Sequence, residues 1–327
     1  MIAYQVSRAG EPAAVLEPVE RGVPEAAAGQ IVVRVLASAV NFPDVLLCRG
    51  TYQVRPELPF TPGLEVCGTV VGCGPGTLGP AVGDRVVGTT LLPDGGFGEF
   101  AVMRADATFP APPQLDDAQA AALFIGYQTG WFGLHRRARL QAGETLLVHA
   151  AAGGVGSAAV QLGKAAGARV IAVVGGGAKA EVATAMGADV VIDRRQDDFV
   201  QAVKDETAGH GADVVYDPVG GETYTRSTRC IAFEGRILVV GFASGQIQSA
   251  ALNHALVKNY SILGLHWGLY ADRQPAALGE CHIQLSALVE RGLIRPLVSE
   301  RLSHEQLPHA VQRLADGHTV GRLVYQP

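Results

Sequence analysis

A doubly wound parallel α/β domain preceded by an irregular β-barrel is the fold class that three features of the sequence predict. Strand-like and helix-like runs alternate from about Thr145 to His266. The strand-like runs there are almost wholly apolar and rich in Val and Ile, as in strands covered on both faces. The residues before about Asp117 instead form short β-type pieces cut by Gly and Pro. A length of 327 residues also suits two domains at roughly 150 residues each.

In chain order, Ile31–Leu36, Val66–Val71 and Arg85–Val87 read as strands, with turns at Gly72–Gly76 and Pro93–Gly96 between and after them. No helix-period run of any length precedes Asp117, so this half reads as a compact β-barrel. Ala118–Leu134 is Ala-rich with helical period, broken by Gly126 and Gly130. Six strands follow: Thr145–His149, Arg169–Val174, Asp189–Ile192, Asp213–Tyr216, Arg236–Val240 and Ile262–His266. Helices at Val155–Ala166, Ala178–Met186 and Phe199–Thr207 cross between them, as a doubly wound sheet requires. The last segments, Leu285–Arg291, Leu307–Leu314 and Gly321–Tyr325, have no glycine turn opening a helix.

Composition excludes several function classes. With 26 Lys and Arg against 31 Asp and Glu, the net charge of −5 argues against a nucleic-acid-binding surface. The 41 glycines show no every-third-residue period, which excludes a collagen-like fibre. Cys48, Cys67, Cys73, Cys230 and Cys281 are odd in number and form no CxxC pair, so a reducing, cytoplasmic setting is expected. Met1–Val6 lacks the basic-then-apolar layout of a signal peptide. The small-residue stretch Leu146–Ala166 carries His149, Gln161, Lys164 and four glycines, which suits a buried segment rather than a membrane span.

The most informative stretch is Thr145–Ser157, a strand running into glycines that open a helix. Its pattern is A-x-x-G-x-x-G, with Ala150 first, then Gly153 and Gly156. Gly153 lets backbone approach a pyrophosphate, and Gly156 lets the helix pack on the strand. The free N–H groups and positive dipole end of the first helical turn would then face the phosphates. A second strand ending at Val174 lies at the distance expected of a dinucleotide site. NAD sites usually end that strand in Asp or Glu. Here it runs into Val174-Gly175-Gly176-Gly177-Ala178-Lys179, without a carboxylate, and Arg194 follows the third strand. Two cations suit a 2′-phosphate, so NADPH is expected rather than NADH.

The order and spacing of further pieces carry a resemblance. They are Ala39–Asp44, Arg49–Tyr52, Pro62–Gly68, Gly83–Val86, Gly96–Phe100, the Ala150–Gly156 turn, Gly187–Asp189, Tyr216–Gly221 and Gly235-Arg236. With these the chain resembles, over essentially its whole length, the zinc-independent medium-chain dehydrogenase/reductases, and most nearly the NADPH:quinone oxidoreductases of zeta-crystallin type. The resemblance implies a Rossmann sheet inserted in a GroES-like β-barrel catalytic domain: 1–122 catalytic, 123–267 NADPH-binding, 268–327 catalytic again. It also implies a cofactor cleft between the domains and a homodimer, for which sheet pairing at the last Rossmann strands is the expected contact. By position, Asn41, Tyr52 and Thr129 would line the nicotinamide end. Gly153, Gly154 and Val155 would hold the pyrophosphate, Lys179 and Arg194 the 2′-phosphate. Gly241 and Phe242 would flank ribose and nicotinamide. Family members often have Tyr where Arg194 stands, and some have a further Tyr where Leu46 stands; the second change leaves the substrate wall more apolar.

Zinc-containing relatives carry a Cys and a His where this chain has Asn41 and Leu64, and neither replacement is a zinc ligand. No metal is therefore expected, with Glu65 a structural acceptor paired with an arginine. The nine histidines form no HExxH, and no G-x-S-x-G elbow supports hydrolysis. Without a Lewis acid to polarise a plain carbonyl, the acceptor for hydride is expected to be electron-poor already, a quinone or an α,β-unsaturated carbonyl. Tyr52, and after it Tyr127 or Thr129, is a candidate donor to the developing oxyanion, the alternative for Tyr52 being a wall residue that packs over the nicotinamide without moving a proton. Two alternatives remain: an enoyl-CoA (acryloyl-CoA-type) reductase, and an NADPH-binding protein with a structural or regulatory role.

Overall fold

The computed structural model describes all 327 residues. Contacts divide it into two units, one of Met1–Ile125, Ala271–Glu290 and Arg295–Pro327, the other of Gly126–Tyr270 and Arg291–Ile294. These limits differ from the sequence-based 122 and 267, and the short segment Arg291–Ile294 falls in the second unit rather than the first.

The first unit opens with the antiparallel pair β1 (Ile2–Val6) and β2 (Leu16–Glu20), separated by one turn of helix, α1 (Pro12–Val15). β3 (Gln30–Ala39), β4 (Glu65–Cys73), β5 (Arg85–Thr90) and β6 (Phe100–Pro110) follow as an antiparallel sheet. β6 also pairs with β3, from Gln30↔Arg104 to Arg34↔Phe100, which closes the sheet into a barrel. Alternating side chains of these strands fill it: Ile31, Val33, Val35, Val66, Val70, Val86, Ala101 and Met103 are all buried. Two short helices, α1 and α2 (Phe42–Cys48), interrupt this half against expectation. α2 starts with a capping box in which Asn41 and Asp44 serve each other's backbone, and Pro43 sits in its first turn. Seven residues are too few for a helical period to register in the sequence.

α3 (Asp117–Trp131) crosses the boundary, and a π-turn, Phe132–Arg137, ends it. The second unit then builds one parallel sheet. Its strands are β7 (Thr145–His149), β8 (Arg169–Val174), β9 (Val190–Asp193), β10 (Ala212–Asp217), β11 (Ile231–Val239) and β12 (Ser261–Gly264). Between them run α4 (Gly154–Ala165), α5 (Gly177–Ala185), α6 (Phe199–Glu206), α7 (Glu222–Ser227) and α8 (Leu252–Lys258). The spatial order is β12-β11-β10-β7-β8-β9, so the winding of the chain switches from one side of β7 to the other between β9 and β10 while all strands stay parallel. In such sheets ligands bind at the carboxyl ends of the strands flanking that switch. β11 begins five residues before the expected Arg236 because Glu234 adopts φ 57° and the register against β10 shifts there.

After α9 (Gly268–Arg273) and α10 (Pro275–Glu290), the chain forms β13 (Val298–Leu302), α11 (Leu307–Ala315) and β14 (Arg322–Tyr325). β14 pairs antiparallel with β3 through Val324↔Ala39 and Tyr325↔Ser38, so the C-terminus completes the sheet begun near the N-terminus. No helix is long and apolar enough to cross a membrane.

Candidate functional site

In the second unit, β7 is buried throughout and delivers the chain to Ala150, which takes the left-handed φ of 50° where the usual pattern has glycine. A non-glycine residue there costs roughly 1–2 kcal/mol. Gly153 caps α4 without a side chain, and its N–H donates to the Ala150 carbonyl at 2.8 Å. The next intrahelical donor is Ser157, to Gly153, so the N–H groups of Gly154, Val155 and Gly156 have no partner one turn back. A Cβ on Gly156 would lie 2.2 Å from the Ala150 oxygen, which explains why only glycine lets the helix seat on the strand. The turn fits a pyrophosphate.

At the end of β8 lies the Gly175-Gly176-Gly177 turn. Gly176 has φ 106°, and its N–H and that of Arg195 both donate to Asp193 Oδ1, at 2.9 and 3.1 Å. Those N–H groups hold the Asp193 carboxyl below its ordinary range. Two exposed guanidinium groups lie against the turn. A Cβ on Gly175 would be 3.4 Å from Arg194 Nε, and one on Gly176 would be 2.9 Å from Arg195 Nη1. Lys179, in the first turn of α5, belongs to the same cluster: burial lowers its ammonium pKa, and repulsion from Arg195 and Arg194 lowers it further. Every ion pair in the molecule leaves out Arg194 and Arg195. The structure thus joins Lys179 and Arg194, and adds Arg195, which the sequence reading passed over although it is adjacent.

On the other side of β7, Asp217 ends β10 and its Oδ1 accepts from Val219 and Gly220 N–H at 2.8 and 2.9 Å. Gly220 and Gly221 both have positive φ, and the loop after β11 folds onto them. Ala243 donates to the Pro218 carbonyl, Ser244 to that of Val219, and Gly221 donates to Gln248 Oε1. This places Gly241 beside Pro218 and leaves Phe242 partly exposed. Thr129 lies nearly buried on α3. Tyr127 is buried, and its hydroxyl accepts from Gln161 of α4 at 2.9 Å, a packing role rather than that of a donor to an open site. His149 is buried against Phe199 and meets Ser227 Oγ at 2.8 Å; burial lowers its pKa to about 3, so it stays neutral.

In the first unit, Asn41 and Glu65 meet Arg322 in a buried cluster. Arg322 Nη1 donates to Asn41 Oδ1 at 2.9 Å, Arg322 Nη2 to Glu65 Oε2, and Asn41 Nδ2 to Glu65 Oε2 at 2.9 Å. The Ile125 N–H donates to Glu65 Oε1 at 2.6 Å. Burial raises the Glu65 carboxyl, yet every group facing it is a donor, so it is held as a carboxylate. Asp44 accepts from the N–H groups of Asn41, Gly63 and Leu64, and burial pushes it up to about 7. Tyr52 is half-buried on the same unit; desolvation, then the Asp44 charge, raises its pKa.

The donor set does not fit zinc. Asn41 and Leu64 offer neither thiolate nor imidazole, both oxygens of Glu65 are engaged, and no group of three or more His, Cys, Asp and Glu is arranged to hold a metal ion.

Residues 27–113 match the alcohol dehydrogenase GroES-like domain, and residues 154–281 match the zinc-binding dehydrogenase family. A quinone oxidoreductase-like protein 2 homolog of Nematostella vectensis is 38% identical over 300 residues, 90% of this chain and 81% of that protein. The chain belongs to the zinc-independent quinone oxidoreductase family of medium-chain dehydrogenase/reductases. Among solved members of the superfamily, the Escherichia coli quinone oxidoreductase complexed with NADPH aligns over 100% of both chains, with TM-score 0.92 and 31% identity. CurK enoyl reductase aligns over 99% of this chain and 98% of its own, with TM-score 0.86 and 26% identity.

Proposed function

We propose that this chain is an NADPH-dependent, zinc-independent reductase that passes hydride to a quinone or to the β-carbon of an α,β-unsaturated carbonyl. The observation that carries the cofactor is the trio Lys179, Arg194 and Arg195 around a glycine turn with no carboxylate on β8, since a 2′-phosphate is what such a cluster recognises. When bound, NADPH supplies a hydride at its nicotinamide ring. The chain's own part is to hold it. Gly153, Gly154 and Val155 receive the pyrophosphate at the start of α4. Gly241 and Phe242 belong to the loop that Gln248 and the Pro218 and Val219 carbonyls fasten. Asn41, Tyr52 and Thr129 serve the nicotinamide end. The raised pKa of Tyr52 keeps its phenol protonated, so it can donate a hydrogen bond to a developing oxyanion without giving up the proton.

The second unit is then the NADPH-binding domain and the first the catalytic one, in a cytoplasmic homodimer; the free cysteines suit that compartment. β12 is paired only with β11, and the exposed Leu252, Leu256 and Val257 of α8 lie next to it in sequence, which supports pairing of two copies at this edge. Likeness to an enoyl reductase favours crotonyl-CoA as the competing acceptor class. NADPH oxidation is followed with 9,10-phenanthrenequinone, 1,4-benzoquinone, an enone and crotonyl-CoA. Consumption with the first three is expected. Consumption with crotonyl-CoA alone reassigns the enzyme as an enoyl reductase, and tight NADPH binding without consumption reassigns it as a binding protein. Tyr52→Phe is expected to slow turnover; an unchanged rate removes the phenol as donor.

A further inference from the structure

The cationic turn of the second unit has a carboxylate among its arginines. Asp193 is the last residue of β9 and stands opposite Val174, the last of β8. The ladder closes where the Arg194 N–H donates to the Val174 carbonyl at 3.0 Å. Beyond that rung the Asp193 side chain takes over. Its Oδ1 accepts from Gly176, across the strand pair, at 2.9 Å and from Arg195, in its own segment, at 3.1 Å. Its main-chain carbonyl accepts from Gln196 and Asp197, both at 2.9 Å, which turns the chain back directly after Arg195. One residue thus fastens the glycine turn and the turn that carries Arg194 and Arg195.

The charges do not cancel by pairing. Asp193 forms no ion pair with Arg194 or Arg195. Its Oδ2 meets only Gln196 Nε2, at 3.4 Å. A carboxylate satisfied by backbone N–H groups leaves the cations open to a ligand, but it also sets a negative charge beside any phosphate bound there. A neutral acceptor in its place would fasten the turns without that repulsion.

We propose that Asp193 is a positioning residue for the 2′-phosphate subsite, and that its charge holds phosphate affinity below what Lys179, Arg194 and Arg195 alone would give. The inference rests on the assignment of that trio to a 2′-phosphate.

The test titrates the full chain by calorimetry with adenosine 2′,5′-bisphosphate and with 5′-AMP, which differ only in the 2′-phosphate. Asp193→Asn keeps an oxygen for both N–H groups and removes the charge. It is expected to bind the bisphosphate about 3- to 10-fold more tightly than wild type, with a steeper dependence on salt. Asp193→Ala removes the charge and the fastening together, and is expected to bind the bisphosphate about 3- to 10-fold more weakly than Asp193→Asn. Affinity for 5′-AMP should stay within about 2-fold throughout. Bisphosphate affinity in Asp193→Asn no higher than in wild type overturns the charge role. Equal affinity in Asp193→Ala and Asp193→Asn, or an equal change for both nucleotides, overturns the positioning role. Should Asp193→Ala fail to fold, Asp193→Ser, whose shorter side chain cannot reach both N–H groups, takes its place. If wild type binds the bisphosphate no more tightly than 5′-AMP, the 2′-phosphate assignment itself fails and the role of Asp193 falls with it.

Discussion

Neutralising the two unpaired guanidinium groups at the Gly175–Gly177 turn should reverse cofactor choice more than it harms catalysis. Arg194 and Arg195 are exposed, so their interaction with a phosphate is solvent-screened. A unit charge pair about 4 Å apart is worth about 1 kcal/mol in water and about 4 kcal/mol at an effective dielectric near 20. Exposure puts each guanidinium toward the lower end, at about 1–2 kcal/mol, which is about 5- to 30-fold in affinity. Arg194→Gln and Arg195→Gln should each lower kcat/KM for NADPH by that factor, leaving kcat/KM for NADH within about 2-fold because NADH has no 2′-phosphate. The double variant should lose somewhat less than the product, since the side chains are neighbours. Steady-state kinetics with 9,10-phenanthrenequinone, run with both cofactors at two ionic strengths, reads this directly, and the wild-type preference should shrink as salt rises. A double variant that keeps the wild-type NADPH-to-NADH ratio refutes the assignment of the trio to a phosphate.

Gly156→Ala sets a methyl 2.2 Å from the Ala150 oxygen, a backbone atom that cannot yield. Helix α4 must shift, with a stability loss of about 1–3 kcal/mol and weaker NADPH binding; unchanged Tm and unchanged titration refute the close-packing argument. For His149, the folded pKa near 3 lies below the ordinary 6.5, so only the unfolded chain takes up a proton between them. Its stabilising contribution is full above 6.5 and drains as pH falls toward 3, amounting to about 2 kcal/mol lost by pH 5. Urea unfolding at pH 7 and pH 5 should show a smaller acid loss in His149→Asn than in wild type; equal losses contradict a neutral buried imidazole. Of the five cysteines only Cys73 is exposed, while burial pushes the thiols of Cys48 and Cys67 up to about 12 and that of Cys230 to about 11. A thiol reagent should therefore modify one cysteine rapidly in native protein and all five after denaturation, and rapid modification in Cys73→Ser argues against this burial.

The parallel sheet was the more legible part of the chain. β7 and β8 run from Thr145 to His149 and from Arg169 to Val174, the very bounds read from sequence, because buried apolar runs there end at glycine turns. The barrel unit was less legible. Its strands carry bulges, as between Val35 and Ala37, and β6 mixes polar with apolar residues because Arg104 and Asp106 sit at positions open to water among buried ones. α8 escaped notice because it has no buried residue and hence no apolar stripe. Within the site, the glycine turns lie close in sequence to the groups they serve, so residue type and spacing expose them. The partner of Glu65 does not: an arginine was anticipated, but nothing local distinguishes Arg322 from the other arginines, because β14 reaches β3 only through the fold.

The pairing of β14 with β3 has a consequence for biosynthesis. During translation Met1–Ile125 is made before the second unit, yet its sheet lacks β13 and β14, and Glu65 lacks its counter-ion, until residues 298–325 have been added. The second unit, complete but for Arg291–Ile294, leaves the ribosome earlier with every strand of its sheet present. Domains that fold as they are made would then mature against the order of synthesis: the inserted sheet has all its strands while the barrel still awaits β14 and the arginine that pairs with its buried carboxylate.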